Sequence, residues 1–190
     1  EIHFLEARVQ RKKNNIDEAR RQLGLAISTA VSPSFRDEAR CSLLELVLYT
    51  PVNKSSLTEV KERIQEISRM QPKVTELDPQ IQTRARFLQM ESMNAIANYC
   101  YELMKTKEEL NNYRTPFLEQ LNKLENLSDP IARWHAAKHR GKWLLLQGKY
   151  QDAWQAFEIN GDFEKLVGSL ERMSRNQRQL QLPAFLAMVS

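Results

Sequence analysis

The amino-acid sequence predicts an all-α protein built from antiparallel helix pairs. Apolar residues recur at spacings of three and four, as in Val60, Ile64 and Ile67, which places them on one face of a helix. Only five glycines occur in 190 residues, so the tight turns of a strand-rich fold are disfavoured. Helix-start signals recur along the chain, and no alternating stretch is convincing as a strand.

Two kinds of signal mark the helix starts. Ser34 precedes Asp37 by three residues, and Ser56 precedes Glu59 by three. Each pair matches a capping box, in which the hydroxyl and the acid accept hydrogen bonds from free N–H groups at the helix start. Proline is expected at the first helical position, where its missing donor does no harm. The dipeptides concerned are Asp78-Pro79, Thr115-Pro116, Asp129-Pro130 and Leu182-Pro183.

These signals and the breaks between them predict about nine to ten helices. Their ranges are 2–13, 15–31, 34–49, 56–70, 79–104, 116–126, 130–147, 150–159 and 162–179, with a final helix from 183. We expect residues 1–190 to form a single helical-repeat domain. Glu1 is not a methionine and already lies in a helical pattern, so we expect this domain to be a segment of a longer chain.

The clearest repeat pattern lies between residues 137 and 157. Small residues let two helices approach, a glycine makes the turn, and an aromatic-small-aromatic trio packs the second helix onto the first. The positions are Ala137, Gly141, Leu144, Gly148, Tyr150, Ala153 and Phe157. Their spacing resembles the tetratricopeptide repeat.

The N-terminal segment follows the same scheme more loosely. Ala7 takes the small position and Asn14-Asn15 the turn, and the second helix offers Ile16, Ala19, Leu23 and Ala26.

The sequence also departs from the family pattern. Asn160 stands where a small apolar residue is usual, and Lys165 replaces the closing proline. The anchors Ala19, Val60 and Ala153 are 41 and 93 residues apart, which are not multiples of the repeat length of about 34. An irregular solenoid is therefore the favoured interpretation, with a regular repeat and a non-repeating bundle as alternatives.

The resemblance implies a tetratricopeptide-like α-solenoid, a right-handed superhelix whose stacked helix pairs share one core. Its concave wall is lined by the first helix of each pair, and in this family basic residues on that wall grip carboxylates. If Ala137 and Gly141 face the partner helix, basic residues beside them line the wall. The predicted partner-binding residues are Arg8, Arg11, His135, Lys138, His139, Lys142 and Trp143. A solvated helix surface is the alternative interpretation, since no asparagine completes the family's carboxylate clamp.

Tryptophan and histidine suggest two further kinds of site. Trp134, Trp143 and Trp154 have the spacing of core residues, and Trp143 is predicted as an exposed binding residue because it lies off the packing stripe. His135 and His139 share a helix face, but a zinc site needs a third ligand, and none is suggested nearby. We expect neither a metal nor any other cofactor.

The sequence contains no glycine-rich phosphate loop, no nucleophile elbow and no Cys/His/Asp grouping with supporting context, so we do not expect an enzyme.

The 28 basic residues are interleaved with 24 acidic ones, for a net charge of +4. Interleaving is typical of solvated helix faces, whereas a nucleic-acid footprint needs clustered charge.

Cysteine usage and hydropathy indicate the compartment. Cys41 and Cys100 lie inside apolar helical stretches and are predicted to be buried thiols in a reducing environment. No apolar run approaches the roughly 20 residues that span a bilayer. We expect a cytoplasmic protein without membrane insertion.

The function predicted first is a non-catalytic protein–protein interaction scaffold that binds another protein or peptide, with an acidic one favoured, on a concave basic and aromatic face. One alternative is an effector-sensing regulatory domain of a larger signalling or transcription-regulating protein. A second alternative is helical-repeat binding of nucleic acid.

Overall fold

The computed structural model of the protein describes residues 1–106 and 108–160, the last two by their backbone alone. Within this part the chain forms eight α-helices, a short 3-10 turn at Val74–Glu76 and no strand. The helices are α1 (Ile2–Lys12), α2 (Ile16–Thr29), α3 (Pro33–Tyr49), α4 (Leu57–Met70), α5 (Pro79–Met104), α6 (Leu110–Glu125), α7 (Pro130–Leu146) and α8 (Tyr150–Asn160). The all-α prediction is confirmed for these residues. The helices predicted over 162–179 and from 183 lie outside them.

The chain divides into two compact units, Glu1–Tyr99 and Cys100–Ser190. That residues 1–190 form a single domain stays a prediction.

The turns after α1 and α7 are formed by the asparagine and glycine residues that the sequence predicts. Asn14 has a φ of 58° and Gly148 a φ of 73°, the left-handed conformation that glycine and asparagine adopt most readily. The amides of Asn15 and Lys149 donate to carbonyl oxygens five residues earlier, at 2.9 and 3.0 Å. Both helices therefore end in a Schellman motif, which satisfies carbonyl groups at the helix end and reverses the chain.

The predicted helix starts are confirmed at some positions. The Asp129 carboxylate accepts hydrogen bonds from the amides of Ile131 and Ala132, at 2.7 and 3.2 Å. The Ser56 hydroxyl accepts one from the amide of Glu59 at 3.4 Å.

At α3 the predicted capping box of Ser34 and Asp37 is wrong. Ser32 is the cap, and its hydroxyl accepts from the amide of Phe35 at 3.4 Å. Because Pro33 takes the first helical position, the cap must be the residue before it.

Helix α6 begins six residues earlier than predicted and contains Pro116 inside it. The amide of Tyr113 already bonds to the Glu109 carbonyl oxygen at 3.1 Å, so a helical turn forms ahead of the proline. An interior proline costs a helix about 3 kcal/mol. The turn ahead of the proline has contacts of its own, since the Asn112 side-chain amide donates to the Glu109 carboxylate at 3.2 Å and the Arg114 guanidinium lies 5.3 Å from the centre of the Trp143 ring. Tertiary packing thus overrides the local stop signal.

The core of the first unit lies where α2 packs between α1 and α3. Its members are Phe4, Ala7, Ala19, Leu23, Ala26, Ala39 and Leu46. Four of these seven are alanines, whose small side chains let helix backbones approach closely. The rings of Phe4 and Phe35 meet edge to face with centroids 5.4 Å apart, a favoured arrangement for aromatic pairs.

The second unit contains the helix pair that the repeat pattern predicts. A Cβ atom on Gly141 would lie 2.5 Å from the ring of Phe157, and Phe157 is fully buried. Glycine is therefore what allows α8 to pack this closely on α7. Ala153 and Trp154 complete the cluster.

Both cysteines are free and buried, as predicted. Burial raises the pKa of the Cys41 thiol and raises that of Cys100 to about 12. Both thiols are therefore protonated at neutral pH and are poor nucleophiles. In the same described ranges, no helix has the length and apolar character needed to cross a membrane.

Candidate partner-binding groove

A groove of about 300 Å³ in the first unit brings together three arginines. We call it the arginine groove. Its floor is apolar and consists of Phe4, Ala7, Ala19, Leu23 and Leu46. Its rim is polar and consists of Arg8 and Arg11 from α1, Glu38 and Ser42 from α3, and Arg84 from α5.

Helical spacing explains how α1 supplies both floor and rim. Phe4, Ala7, Arg8 and Arg11 follow the spacing i, i+3, i+4 and i+7, which lies on one helix face. Phe4 and Ala7 are buried in the core, while Arg8 and Arg11 are exposed. The long arginine stems can lie over apolar surface while the guanidinium groups stay in water.

Arg84 belongs to this rim although the sequence did not mark it as a site residue. It stands among Ile81, Ala85 and Leu88, which are buried on one stripe of α5. An arginine within the apolar stripe of a helix can be recognised in the sequence as a candidate site residue, because its side chain must find a polar partner when the helix packs.

Glu45 holds two of the arginines in place. Its carboxylate accepts from Arg84 at 2.5 Å and from Arg11 at 3.4 Å. Arg84 also donates to the Ser42 hydroxyl at 3.1 Å. Burial acts to raise the pKa of Glu45, but the hydrogen bonds and charges of Arg84 and Arg11 outweigh it and lower the pKa. Glu45 is therefore ionised at neutral pH.

Arg8 is differently placed. Its side chain is exposed and makes no ion pair or hydrogen bond with any residue in the described ranges. The groove is lined by three arginines and by the carboxylate of Glu38. With Glu45, which pairs with Arg11 and Arg84, counted beside them, an excess of one positive charge remains. Arg8 is the cation that remains for a ligand.

The predicted residues of α7 are placed differently from those of α1. His135, His139 and Lys142 are 7%, 0% and 6% exposed, which corrects the expectation that they line a solvent-facing wall. The reason is that α7 packs against α6 as well as α8. The flank expected to be open is covered, and His139 lies edge-on to Phe117 with ring centroids 6.0 Å apart.

Two lysine side chains of the second unit lie over aromatic rings. Nζ of Lys142 is 5.0 Å from the centre of the Tyr101 ring, and Nζ of Lys138 is 5.5 Å from that of Trp134. Such cation–π contacts hold the amines against the surface of their own unit.

The three tryptophans also differ from the prediction in one respect. Trp143 is half-buried, with its ring 6.1 Å from Phe117 and 5.3 Å from the Arg114 guanidinium. Trp134 is 42% exposed and Trp154 fully buried. Trp134 is therefore the most exposed of the three, although the spacing favoured Trp143. A binding role for Trp143 stays a prediction.

The histidine pair offers little to a metal ion. Burial, then the charge of Lys142, His135 and Lys138, lowers the pKa of His139 well below its ordinary value. The positive charges of Lys142 and Lys138 also repel a metal cation. Across residues 1–106 and 108–160, no group of three or more His, Cys, Asp or Glu side chains is placed to hold a metal.

No protein-family model, curated protein or solved structure matches this chain. The tetratricopeptide resemblance therefore rests on the residue spacing alone.

Proposed function

We propose that this chain is a non-catalytic module that binds a partner protein or peptide, and that the arginine groove holds an acidic side chain of that partner. The observation that carries the proposal is the convergence of Arg8, Arg11 and Arg84 on one groove with an apolar floor. Guanidinium groups bind carboxylates through two parallel hydrogen bonds, which gives direction as well as affinity.

The size of the groove indicates the kind of partner. At about 300 Å³ it accommodates one or two side chains rather than the surface of a folded domain. An apolar floor beneath a cationic rim suits an apolar residue next to Asp or Glu in an extended or helical peptide. We therefore expect a short acidic segment as the ligand.

We further propose that the helix pairs stack as an irregular, tetratricopeptide-like solenoid with a right-handed twist. Support comes from the lining of the groove, which includes residues of α1, α3 and α5. In a stack that pairs α1 with α2 and α3 with α4, these are first helices of successive pairs.

Two buried free thiols support action in a reducing, cytoplasmic compartment.

Selection from a random peptide library displayed on phage tests the proposal. We expect the selected peptides to be enriched in Asp and Glu beside apolar residues. Replacing Arg8→Glu together with Arg11→Glu should weaken their binding by at least about tenfold, because two attractive charges become repulsive. Fluorescence anisotropy of a labelled selected peptide measures this change.

The matched control is Lys54→Glu with Arg86→Glu, which makes the same net-charge change at exposed positions outside the groove. It should leave peptide affinity within about twofold at physiological salt, where distant charges are screened. Far-UV circular dichroism verifies that both variants stay helical. Selected peptides without acidic enrichment, or equal loss in both variants, would contradict the proposal.

A further inference from the structure

A second and larger cleft lies elsewhere in the first unit. It has a volume of about 660 Å³ and is lined by α2, by residues 33–44 of α3, and by the segment from the end of α4 to residue 77. Ligand pockets for small molecules usually measure roughly 300–1,000 Å³. This cleft is therefore large enough for a small organic ligand.

Apolar side chains form one part of the lining. They include Leu43 and Leu44 on α3, Met70 at the end of α4, and Pro72 and Leu77 beyond it. Leu44 is 1% exposed, so the cleft reaches down to the packed interior. The apolar body of a ligand would be removed from water here, which supplies affinity without directional contacts.

Four cationic side chains also line this cleft. Arg36 and Arg40 come from α3, Arg69 from α4, and Lys73 from the segment that follows. Only two acidic residues, Asp37 and Glu76, line the same cleft.

Those two acids are already engaged. Asp37 pairs with Arg40 at 3.2 Å, and Glu76 pairs with Lys73 at 3.5 Å. Both pairs join residues three apart on their own segment, which leaves the other two cations without an acidic partner. The cleft therefore keeps a positive charge that its own carboxylates do not neutralise.

Arg36 and Arg69 are those two cations. Arg36 donates one hydrogen bond to the Ala30 carbonyl oxygen at 2.8 Å, which anchors the side chain while other N–H groups of the guanidinium remain. Arg69 is exposed and makes no ion pair or hydrogen bond within the described part of the chain. They project from different helices, so one anion between them would contact both walls.

Gln71 provides a second, independent sign of a ligand. It lines the cleft, and its side-chain amide nitrogen is buried without an acceptor in the described residues. Buried amide donors are nearly always paired in folded proteins, because an unpaired one loses its hydrogen bonds to water. The nitrogen has almost no exposed surface in this conformation, so an oxygen of a bound ligand would become its acceptor after the side chain turns toward the cleft.

From these observations we propose that the cleft binds a small amphipathic organic anion. Its acidic group lies between Arg36 and Arg69, and its apolar body lies on Leu44 and Pro72. The ligand differs from the partner peptide of the arginine groove in size and in site, so either proposal can fail while the other holds.

Two fluorescent probes of nearly equal shape test this proposal. Anilinonaphthalene sulfonate is an aromatic anion, and phenylnaphthylamine is the same ring system without the sulfonate. The native chain should bind the sulfonate at one saturable site with a blue-shifted emission, and should bind the neutral probe at least about tenfold more weakly. Equal affinity for both probes would overturn the proposal.

Variants locate the site. Arg36→Gln with Arg69→Gln should weaken sulfonate binding by about tenfold or more and change binding of the neutral probe by less than about twofold. The matched control, Lys54→Gln with Arg86→Gln, should leave both affinities unchanged. Unaltered sulfonate affinity in the Arg36/Arg69 variant would overturn the assignment.

A single replacement guards against loss of folding in the double variant, since Arg36 also supports the Ala30 carbonyl. Arg69→Gln removes no internal bond of the described chain and should still weaken sulfonate binding by about three- to fivefold. An unchanged affinity in this folded variant would likewise overturn the assignment. Thermal melting of each variant confirms that the fold is retained.

Discussion

His139 is a fully buried histidine on a helix that also bears Lys138 and Lys142. Burial and the neighbouring charges lower the pKa of its imidazole well below the usual range. In the folded protein the ring is therefore uncharged at neutral pH and packs against Phe117 as an aromatic side chain. In the unfolded chain the same ring takes up a proton near pH 6.5.

This difference predicts how stability depends on pH. Between the two pKa values the unfolded chain binds one more proton than the folded chain, so the free energy of unfolding falls as pH falls. We expect it to be level above about pH 7.5 and to decrease below about pH 6.5, with a slope of up to about 1.4 kcal/mol per pH unit from this residue. All three tryptophans lie in the second unit, so urea titrations followed by tryptophan fluorescence measure the unit that contains His139.

Two histidine variants isolate this contribution. His139→Gln cannot take up the proton and should flatten the slope between about pH 5 and pH 6.5. His3→Gln, in the first unit, should leave the fluorescence-detected slope unchanged. An equal slope in wild type and His139→Gln would show that another group is responsible.

Single residues also show why the candidate site was only partly predictable. Arg8 and Arg11 were identified because their positions relative to Ala7 follow from the helical period alone. Arg84 was not identified, because the residues that it meets in the groove lie on α1 and α3, far from it in the sequence. His135, His139 and Lys142 were misplaced since the spacing reveals which residues share a face but not how many helices cover it.

At the scale of the element, two glycines inside helices have opposite surroundings. Gly141 lies in α7 with the Phe157 ring where its side chain would be, whereas Gly24 lies in α2 with nothing within 4 Å of an added Cβ. Alanine has the higher helix propensity, by about 1 kcal/mol. Overpacking of a buried interface costs about 1–3 kcal/mol.

A Cβ atom 2.5 Å from a ring atom places the overpacking cost of Gly141→Ala in the upper half of that range, about 2–3 kcal/mol. After the gain in propensity of about 1 kcal/mol is subtracted, the variant is expected to destabilise the second unit by about 1–2 kcal/mol. Gly24→Ala, the matched control, should stabilise the first unit by about 0.5–1 kcal/mol. Urea titration followed by tryptophan fluorescence measures the first change, and circular dichroism at the helix band measures the second. A Gly141→Ala variant as stable as wild type would mean that the close packing of α7 on α8 is wrong.

The observed helix boundaries show which local sequence signals are sufficient to predict where a helix starts or ends. The turns at Asn14 and Gly148 are held by backbone hydrogen bonds, and the carboxylate of Asp129 accepts from backbone amides, all within a few residues. The structure confirms the predicted turn or start at each. Thr115-Pro116 carries a signal of the same kind but lies within α6, because the turn ahead of it is held by the bond from the Tyr113 amide to the Glu109 carbonyl oxygen and by the contact of Arg114 with the Trp143 ring. A local sequence signal thus fixes a helix boundary only where tertiary contacts do not favour a different boundary.

At the scale of the whole molecule, charge is nearly balanced. The net charge of +4 arises from 28 basic and 24 acidic residues, and several of them form ion pairs within one helix or between neighbouring helices. Examples are Arg21 with Glu18 at 2.6 Å and Arg140 with Glu125 at 2.5 Å. Cations engaged in this way are not free to replace the counterions of a nucleic acid.

We accordingly expect only weak, salt-sensitive binding to nucleic acid. A random single-stranded oligonucleotide should bind detectably, if at all, at low salt and should be released by about 200 mM salt, because few phosphates are neutralised. Fluorescence anisotropy across a salt series measures this. Binding that persists at about 200 mM salt would favour the nucleic-acid alternative over the peptide-binding proposal.

Local sequence patterns were enough to predict that the described chain is helical, that turns follow α1 and α7, and which face of each helix is apolar. These properties follow from interactions within about one or two helical turns, which local composition specifies. Long-range packing, in contrast, is what covers α7 on two sides, brings Arg84 to Arg8 and Arg11, and places Arg36 and Arg69 at one cleft. Those relations depend on which helices pack together, and residues distant in sequence become neighbours only through that packing.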